Sequence, residues 1–230
     1  MWKLAASIAL LLGTTAEAAV DPNNPSCPKE LDLGPNAPMT FTVAARDGKK
    51  VLLAEGLIDD ALVPRLQEAL KKNEPIDEIW MRSAGGNARV GNEAGKIIRQ
   101  IMVPTRIPSG WGCFSACNFL FMGGAARFVD PGGQFIVHMF THTGDRQVIA
   151  AEVMRGTDST VGLIGEIEQG SALLASEDND FLIRMGVSRK LLTEVMYRQK
   201  AVAEQVGGDR STRRCLTQEE VRKYNVMNGS

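Results

Sequence analysis

A chain of 230 residues, 44% hydrophobic and 23% charged, is long enough to bury a core and has the composition of a globular protein of one or two domains. A formal net charge of −1 gives no electrostatic reason to expect nucleic acid or an anionic membrane surface as a partner.

The first residues have the three parts of a secretory signal. Lys3 is the basic region, Leu4 to Leu12 the apolar core, and Ala16-Glu17-Ala18 an A-x-A cleavage site. The chain therefore divides into a signal peptide (1–18), an N-terminal arm with a first strand (19–45) and the main domain (46–230). The apolar core is too short to span a bilayer, and no later segment reaches that length. The mature chain is expected without a transmembrane segment and in a bacterial periplasm.

Residues 21–38, rich in Pro and Asn, predict a loop or extended arm. Met39 to Ala45 alternates as a strand does, and Val51 to Glu55 predicts a second strand ending at Gly56. A helix follows from Ile58 to about Lys72, with Leu62, Leu66, Ala69 and Leu70 on one face, until Pro75 breaks it. Ile76 to Arg82 predicts a strand that runs into the Ser83-Ala84-Gly85-Gly86-Asn87 turn. Arg89 to Met102 predicts a helix with Ala94, Ile97, Ile98 and Ile101 inward, and Val103 to Ile107 the next strand. A short helix is expected to begin at Ser115 and stop at Gly123-Gly124. Strands at Arg127 to Val129 and Gln134 to Val137 flank the Asp130-Pro131-Gly132-Gly133 turn. Long helices are expected over Thr160 to Met185 and Ser188 to about Glu204, then a polar loop, then a short helix from Thr217. The alternation of strands and helices predicts an α/β domain with a largely parallel sheet and flanking helices.

In an oxidising compartment the four cysteines favour disulfides, and four thiols allow three pairings. Cys113 and Cys117 stand one helical turn apart and are expected to pair around Ser115, leaving Cys27 to Cys215. No zinc-finger spacing is present, the two histidines are His138 and His142, and no metal or cofactor is expected. The C-x-x-x-C spacing also differs from the C-x-x-C of thioredoxin-type redox sites.

Three features fall just after, or near the end of, a predicted strand, where open parallel sheets gather their ligand sites. They are the Gly85-Gly86 turn, Ser115 and His138. A serine at the first turn of a helix is common as a cap. It is also where a nucleophile can stand, with the amides of Gly86 and of Ala116, the following residue, as an oxyanion hole. His138, ending the Phe135-Ile136-Val137 run, is the matching general base. His142 reads as an exposed loop residue or substrate contact. Lys200, in a polar stretch, lacks the desolvation a lysine base requires.

From about Val51 to His138, and again over Cys215 to Val226, the sequence resembles the Clp protease proteolytic subunit within the ClpP/crotonase superfamily. Val51-Leu52-Leu53-Ala54-Glu55-Gly56 is similar to the family's first strand. Ser83-Ala84-Gly85-Gly86 is similar to its Ser-Pro-Gly-Gly turn, with Ala84 in place of Pro. Ser115 matches the nucleophile segment and Val137-His138 the segment carrying the base. Arg214-Cys215-Leu216-Thr217 is similar to the family's Arg-Phe-Leu-Ser. The Cys-x-Ser-Ala-Cys form with a signal peptide resembles an exported, periplasmic branch. The resemblance implies a ClpP/crotonase-like fold and an exported serine peptidase acting on peptide or protein substrates, working without ATP because none is expected outside the cytoplasm. It also implies a homo-oligomer, with the Thr160–Met185 helix as contact element. Ser115 would be nucleophile, His138 base, and Gly86 and Ala116 the oxyanion donors. The family's third residue does not carry over: its position is Arg213 here, and the nearest carboxylate in the chain is Asp209. The alternatives are a catalytically silent binding or scaffold protein that keeps the fold, or a crotonase-like thioester enzyme, which export disfavours.

Overall fold

The computed structural model describes residues 20–22, 24–203 and 209–229, and side chains outside 201–211. The signal peptide expected over residues 1–18 lies outside these.

The arm carries two short strands, β1 (Val20–Asp21) and β2 (Asn24–Pro28), paired antiparallel. β3 (Thr40–Arg46) then turns back on β4 (Lys49–Glu55) along its whole length. Helix α1 (Leu62–Asn73) buries Leu62, Leu66, Ala69 and Leu70, the stripe its sequence spaces at helical intervals. β5 (Glu78–Arg82), α2 (Ala88–Gln100) and β6 (Thr105–Ile107) follow. β7 (Gly112–Phe114) leads to Ser115, and α3 (Cys117–Met122) leaves from it. Next come β8 (Arg127–Val129), β9 (Gln134–His138), α4 (Arg146–Arg155) and α5 (Thr157–Met185). The chain closes with β10 (Ala201–Ala203), β11 (Asp209–Ser211), β12 (Arg213–Cys215) and α6 (Gln218–Lys223).

The main sheet runs β3-β4-β5-β6-β8 and is parallel except for its β3 edge. A smaller sheet, β12-β9-β7, pairs β7 parallel and β12 antiparallel to β9. The two meet where Ser83, just past β5, bridges Cys113: Ser83 donates to the Gly112 carbonyl (3.0 Å) and Phe114 to that of Ser83 (3.0 Å). The fold is thus mixed α/β with a mostly parallel central sheet and flanking helices. One continuous core joins α1, α2, α3 and the sheet, and reaches Phe181 and Leu182 of α5 and Val221 of α6.

Several expectations are corrected. The segment expected to be helical from Ser188 to Glu204 instead makes one π-helical turn (Leu191–Val195) and a 3₁₀ turn (Met196–Arg198), then goes extended into β10. Its apolar spacing satisfies the core through Leu191, Leu192 and Val195. A non-local bond from the Lys200 amide to Thr212 Oγ1 (2.8 Å) draws the rest into a strand. Ile101, the C-cap of α2, is 41% exposed rather than inward. The buried positions are Gly91, Asn92, Ala94, Gly95 and Ile98, because α3 crosses the glycine side of the helix. A Cβ on Gly95 would lie 2.3 Å from the Phe119 carbonyl oxygen, so glycine is what lets the two helices touch. Helix α4 and strand β7 were not anticipated, and the polar loop before Thr217 is largely strand.

Candidate active site

Ser115 is not a helix cap. It stands at φ 58°, one residue before Ala116, the N-cap of α3, which makes no side-chain capping bond. A left-handed serine is a strained conformation held only where the surroundings fix it. Here the surroundings are specific. The Ser115 amide donates to the Ile136 carbonyl of β9 (3.3 Å), and the Asn118 amide donates to the Ser115 carbonyl (3.0 Å). Asn118 Nδ2 donates to the same Ile136 carbonyl (2.7 Å). The turn bearing Ser115 is therefore tied to the strand that ends in His138.

The tie has a chemical result: His138 Nε2 lies 2.7 Å from Ser115 Oγ. That is the reach a general base needs on a hydroxyl. Burial holds the imidazole well below its ordinary pKa, at about 4, and the Arg213 charge pushes the same way; a hydrogen bond to the Met139 backbone opposes them. His138 is thus neutral at pH 7, with the ring able to accept a proton.

The Gly85-Gly86 turn closes over the serine. Gly85 sits at φ 87° and Gly86 at φ 144°. The turn is stapled to the chain after β4, because Ile58 donates to the Gly85 carbonyl (2.9 Å) and accepts at its own carbonyl from Asn87 (2.8 Å). A Cβ on Gly86 would fall 2.1 Å from the Ile58 oxygen, so this position excludes every other residue. Asn87 in turn caps α2, its Oδ1 accepting from the amides of Arg89 (3.0 Å) and Val90 (3.2 Å). Among the described residues, no carbonyl outside the helices and strands accepts from the amides of Gly86 or Ala116.

Gly86 and Ser115 open onto a cleft of about 610 Å³ between this turn and the α4–α5 pair, with Phe140, Ile149, Leu163 and Leu174 among its lining. His142 is at its edge, with Nδ1 2.9 Å from Asp145 Oδ2. Lys200 is exposed.

Cys113 and Cys117 are joined across Ser115, their Cα atoms 5.3 Å apart, and Cys27 is joined to Cys215 at 5.0 Å. The second bond fastens the arm beside β12, where Arg213 and Cys215 also donate their amides to Asn24 Oδ1 (2.6 Å) and Ser26 Oγ (3.1 Å).

Asp209 is in β11, paired in register with Ala203, and its side chain lies outside those described. The residue opposite His138 in the β9–β12 register is Arg213. Two polar groups near the serine were missed in the sequence. Asn118 stands three residues after the nucleophile position. Asp178 interrupts the α5 stripe of Leu174, Phe181, Leu182 and Met185, and an acid in an apolar stripe was the available signal. Burial, with the neighbouring Glu177, raises the Asp178 carboxyl to about 7.

No protein-family model matches the chain, and no curated protein does. Solved structures do match, among them a ClpP1 variant from Listeria monocytogenes, at 16% identity and a TM-score of 0.48, over 78% of this chain and 89% of that one.

Proposed function

We propose that this protein is an exported serine hydrolase, a peptidase that works through an acyl-enzyme and needs no ATP. The observation that supports it is the 2.7 Å Ser115–His138 contact beside a glycine turn that lines the same cleft. Ser115 Oγ attacks the scissile carbonyl carbon as its proton passes to His138 Nε2. The carbonyl π electrons move onto oxygen, which the Gly86 and Ala116 amides receive, an interaction worth about 3 kcal/mol per donor in comparable sites. Collapse expels the amine with the proton from His138, and water repeats the sequence on the acyl-enzyme to release the acid. The hydrogen bond to the Met139 backbone helps orient the ring, and Asp209, the nearest carboxylate in the chain, is proposed as the acid that completes a triad.

Export rests on the signal-like N-terminus and fits the two disulfides. Among the described residues no helix is long and apolar enough to cross a membrane. Self-assembly through α4–α5 is part of the proposal: Val148, Val153, Met154, Val161, Ile164 and Leu173 of this pair are exposed.

One observation favours the second reading, a silent binding protein: a cation occupies the register position facing His138. Fluorophosphonate labelling of the mature protein separates the two. Labelling that is lost in Ser115→Ala and in His138→Ala supports the hydrolase. A folded wild type that takes no label, oxidised or reduced, supports the binding protein.

A further inference from the structure

Beside the larger cleft, a second and smaller cavity of about 40 Å³ has Ser115 and His138 in its lining. Its walls are apolar, with Phe119, Met122, Phe135 and Leu182 among them. Two polar side chains break this lining, Asn118 and Asp178, only 3% and 6% exposed. In each, Oδ1 is buried and has no hydrogen-bond partner among the described residues. The Asn118 amide is fixed by its Nδ2 bond to the Ile136 carbonyl, so the unpartnered oxygen is a true acceptor rather than an arbitrary assignment. Buried acceptors without donors are rare and costly in a folded protein and need a reason. Asp178 is not the partner of His138: its electrostatic neighbours are Glu177 and Tyr197.

We propose that this slot receives the side chain preceding the scissile bond and selects a basic one, lysine above all. The inference rests on the hydrolase reading. A small apolar cavity suits an unbranched methylene stem, and with Asp178 ionised its two unpartnered oxygens offer only acceptors, which an ammonium group with three donors satisfies. An arginine head is broader, and an acidic or small side chain leaves both oxygens unpartnered. The cost of the empty site is then recovered when substrate binds.

The test uses the mature, oxidised protein and peptidyl diphenyl phosphonates carrying a lysine-type, leucine-type or aspartate-type side chain beside phosphorus, with a plain fluorophosphonate as reference. In each, Ser115 Oγ bonds to phosphorus, phenoxide or fluoride departs, and His138 takes the serine proton. The lysine-type probe is expected to label at least about tenfold faster than the leucine-type, the scale of a charge-assisted hydrogen bond. In Asp178→Leu that ratio falls toward one, and in Asp178→Asn it falls part way. Circular dichroism establishes that both variants are folded. Should either fail to fold, the wild-type ratio decides alone. Fluorophosphonate labelling of Ser115 with equal or faster capture of the leucine-type probe overturns the slot while leaving the hydrolase standing. So does a lysine preference that survives Asp178→Leu. No labelling of Ser115 by any probe overturns both.

Discussion

His138 and Arg213 face each other across β9 and β12, paired in register, and both lie against the Phe114 ring: its centroid is 4.7 Å from that of the imidazole and 4.6 Å from the guanidinium carbon. A cation in this position works against imidazolium, the species a general base becomes when it takes the serine proton. With burial, the larger cause, it holds His138 at about 4. The base is therefore unprotonated and competent across the whole neutral range but weak.

The pH dependence follows. A base with an ordinary pKa loses its activity as pH falls through about 6.5, and here that loss is displaced toward 4. The rate of fluorophosphonate labelling is expected to stay level from pH 8 to 5. Arg213→Ala removes the second cause and leaves the first, so the acid limb moves up, toward but not reaching 6.5. A limb at 6.5 in the wild type contradicts this account of His138.

Asp178 gives a stability test of opposite sign. Its folded-state pKa is raised to about 7 from 3.8, so the folded chain holds a proton that the unfolded chain releases. The favourable contribution is present at low pH and lost as pH rises through 7, because ionisation is then forced on a buried, unpaired carboxyl. Asp178→Asn is therefore expected to stabilise the fold at pH 8, and less at pH 5, the two effects differing by roughly 3 kcal/mol and read as a larger rise in melting temperature at the higher pH. Equal effects at both pH values would mean that the carboxyl has a partner.

Parts of this were legible in the sequence because they rest on local rules. The α1 stripe, the Gly85-Gly86 turn and the final helix are set by residues within a few positions of one another. Thr217 and Glu220 form a reciprocal capping box at the start of α6, as an acidic first turn after a threonine suggests. Ser115 and His138 could be named because each stands at or just past a strand end, and resemblance supplied their order. Their contact was not legible: it depends on the Ile136 carbonyl, which accepts from two groups of the serine turn. Helix α4 gave no signal because it buries none of its residues and so has no stripe to read. β7 is three residues long, too short for a period of two to be seen. Asp178 offered one local signal, an acid within an apolar stripe, but its burial depends on how α5 is laid against the core.

Glycine at position 86 is required twice over, by φ 144° and by the Ile58 carbonyl. Gly86→Ala pushes this turn off Ser115, and labelling is expected to fall by at least about a hundredfold, the scale on which a single oxyanion donor acts. The far-UV spectrum should change little, since the displaced strand end is one turn of backbone. Labelling at the wild-type rate would remove Gly86 from the proposed oxyanion hole.

The two disulfides are expected to divide stability and reactivity between them. Cys27–Cys215 closes 188 residues, and the loop-entropy model gives such a bond about 5 kcal/mol, against about 2 kcal/mol for Cys113–Cys117, which closes four. Replacing Cys27 and Cys215 with serine should thus lower the melting temperature more, and free the arm from β12, without touching the serine turn directly. Replacing Cys113 and Cys117 with alanine costs less stability but releases the left-handed Ser115 backbone from the clamp that spans it, so labelling should fall much further than stability does. Both Cys113 and Cys117 are fully buried. Mild reductant is accordingly expected to reach them only when the fold opens, and loss of labelling under reduction should track unfolding measured by near-UV dichroism. Labelling that falls under reductant while the near-UV spectrum is unchanged would make this bond a switch rather than a brace.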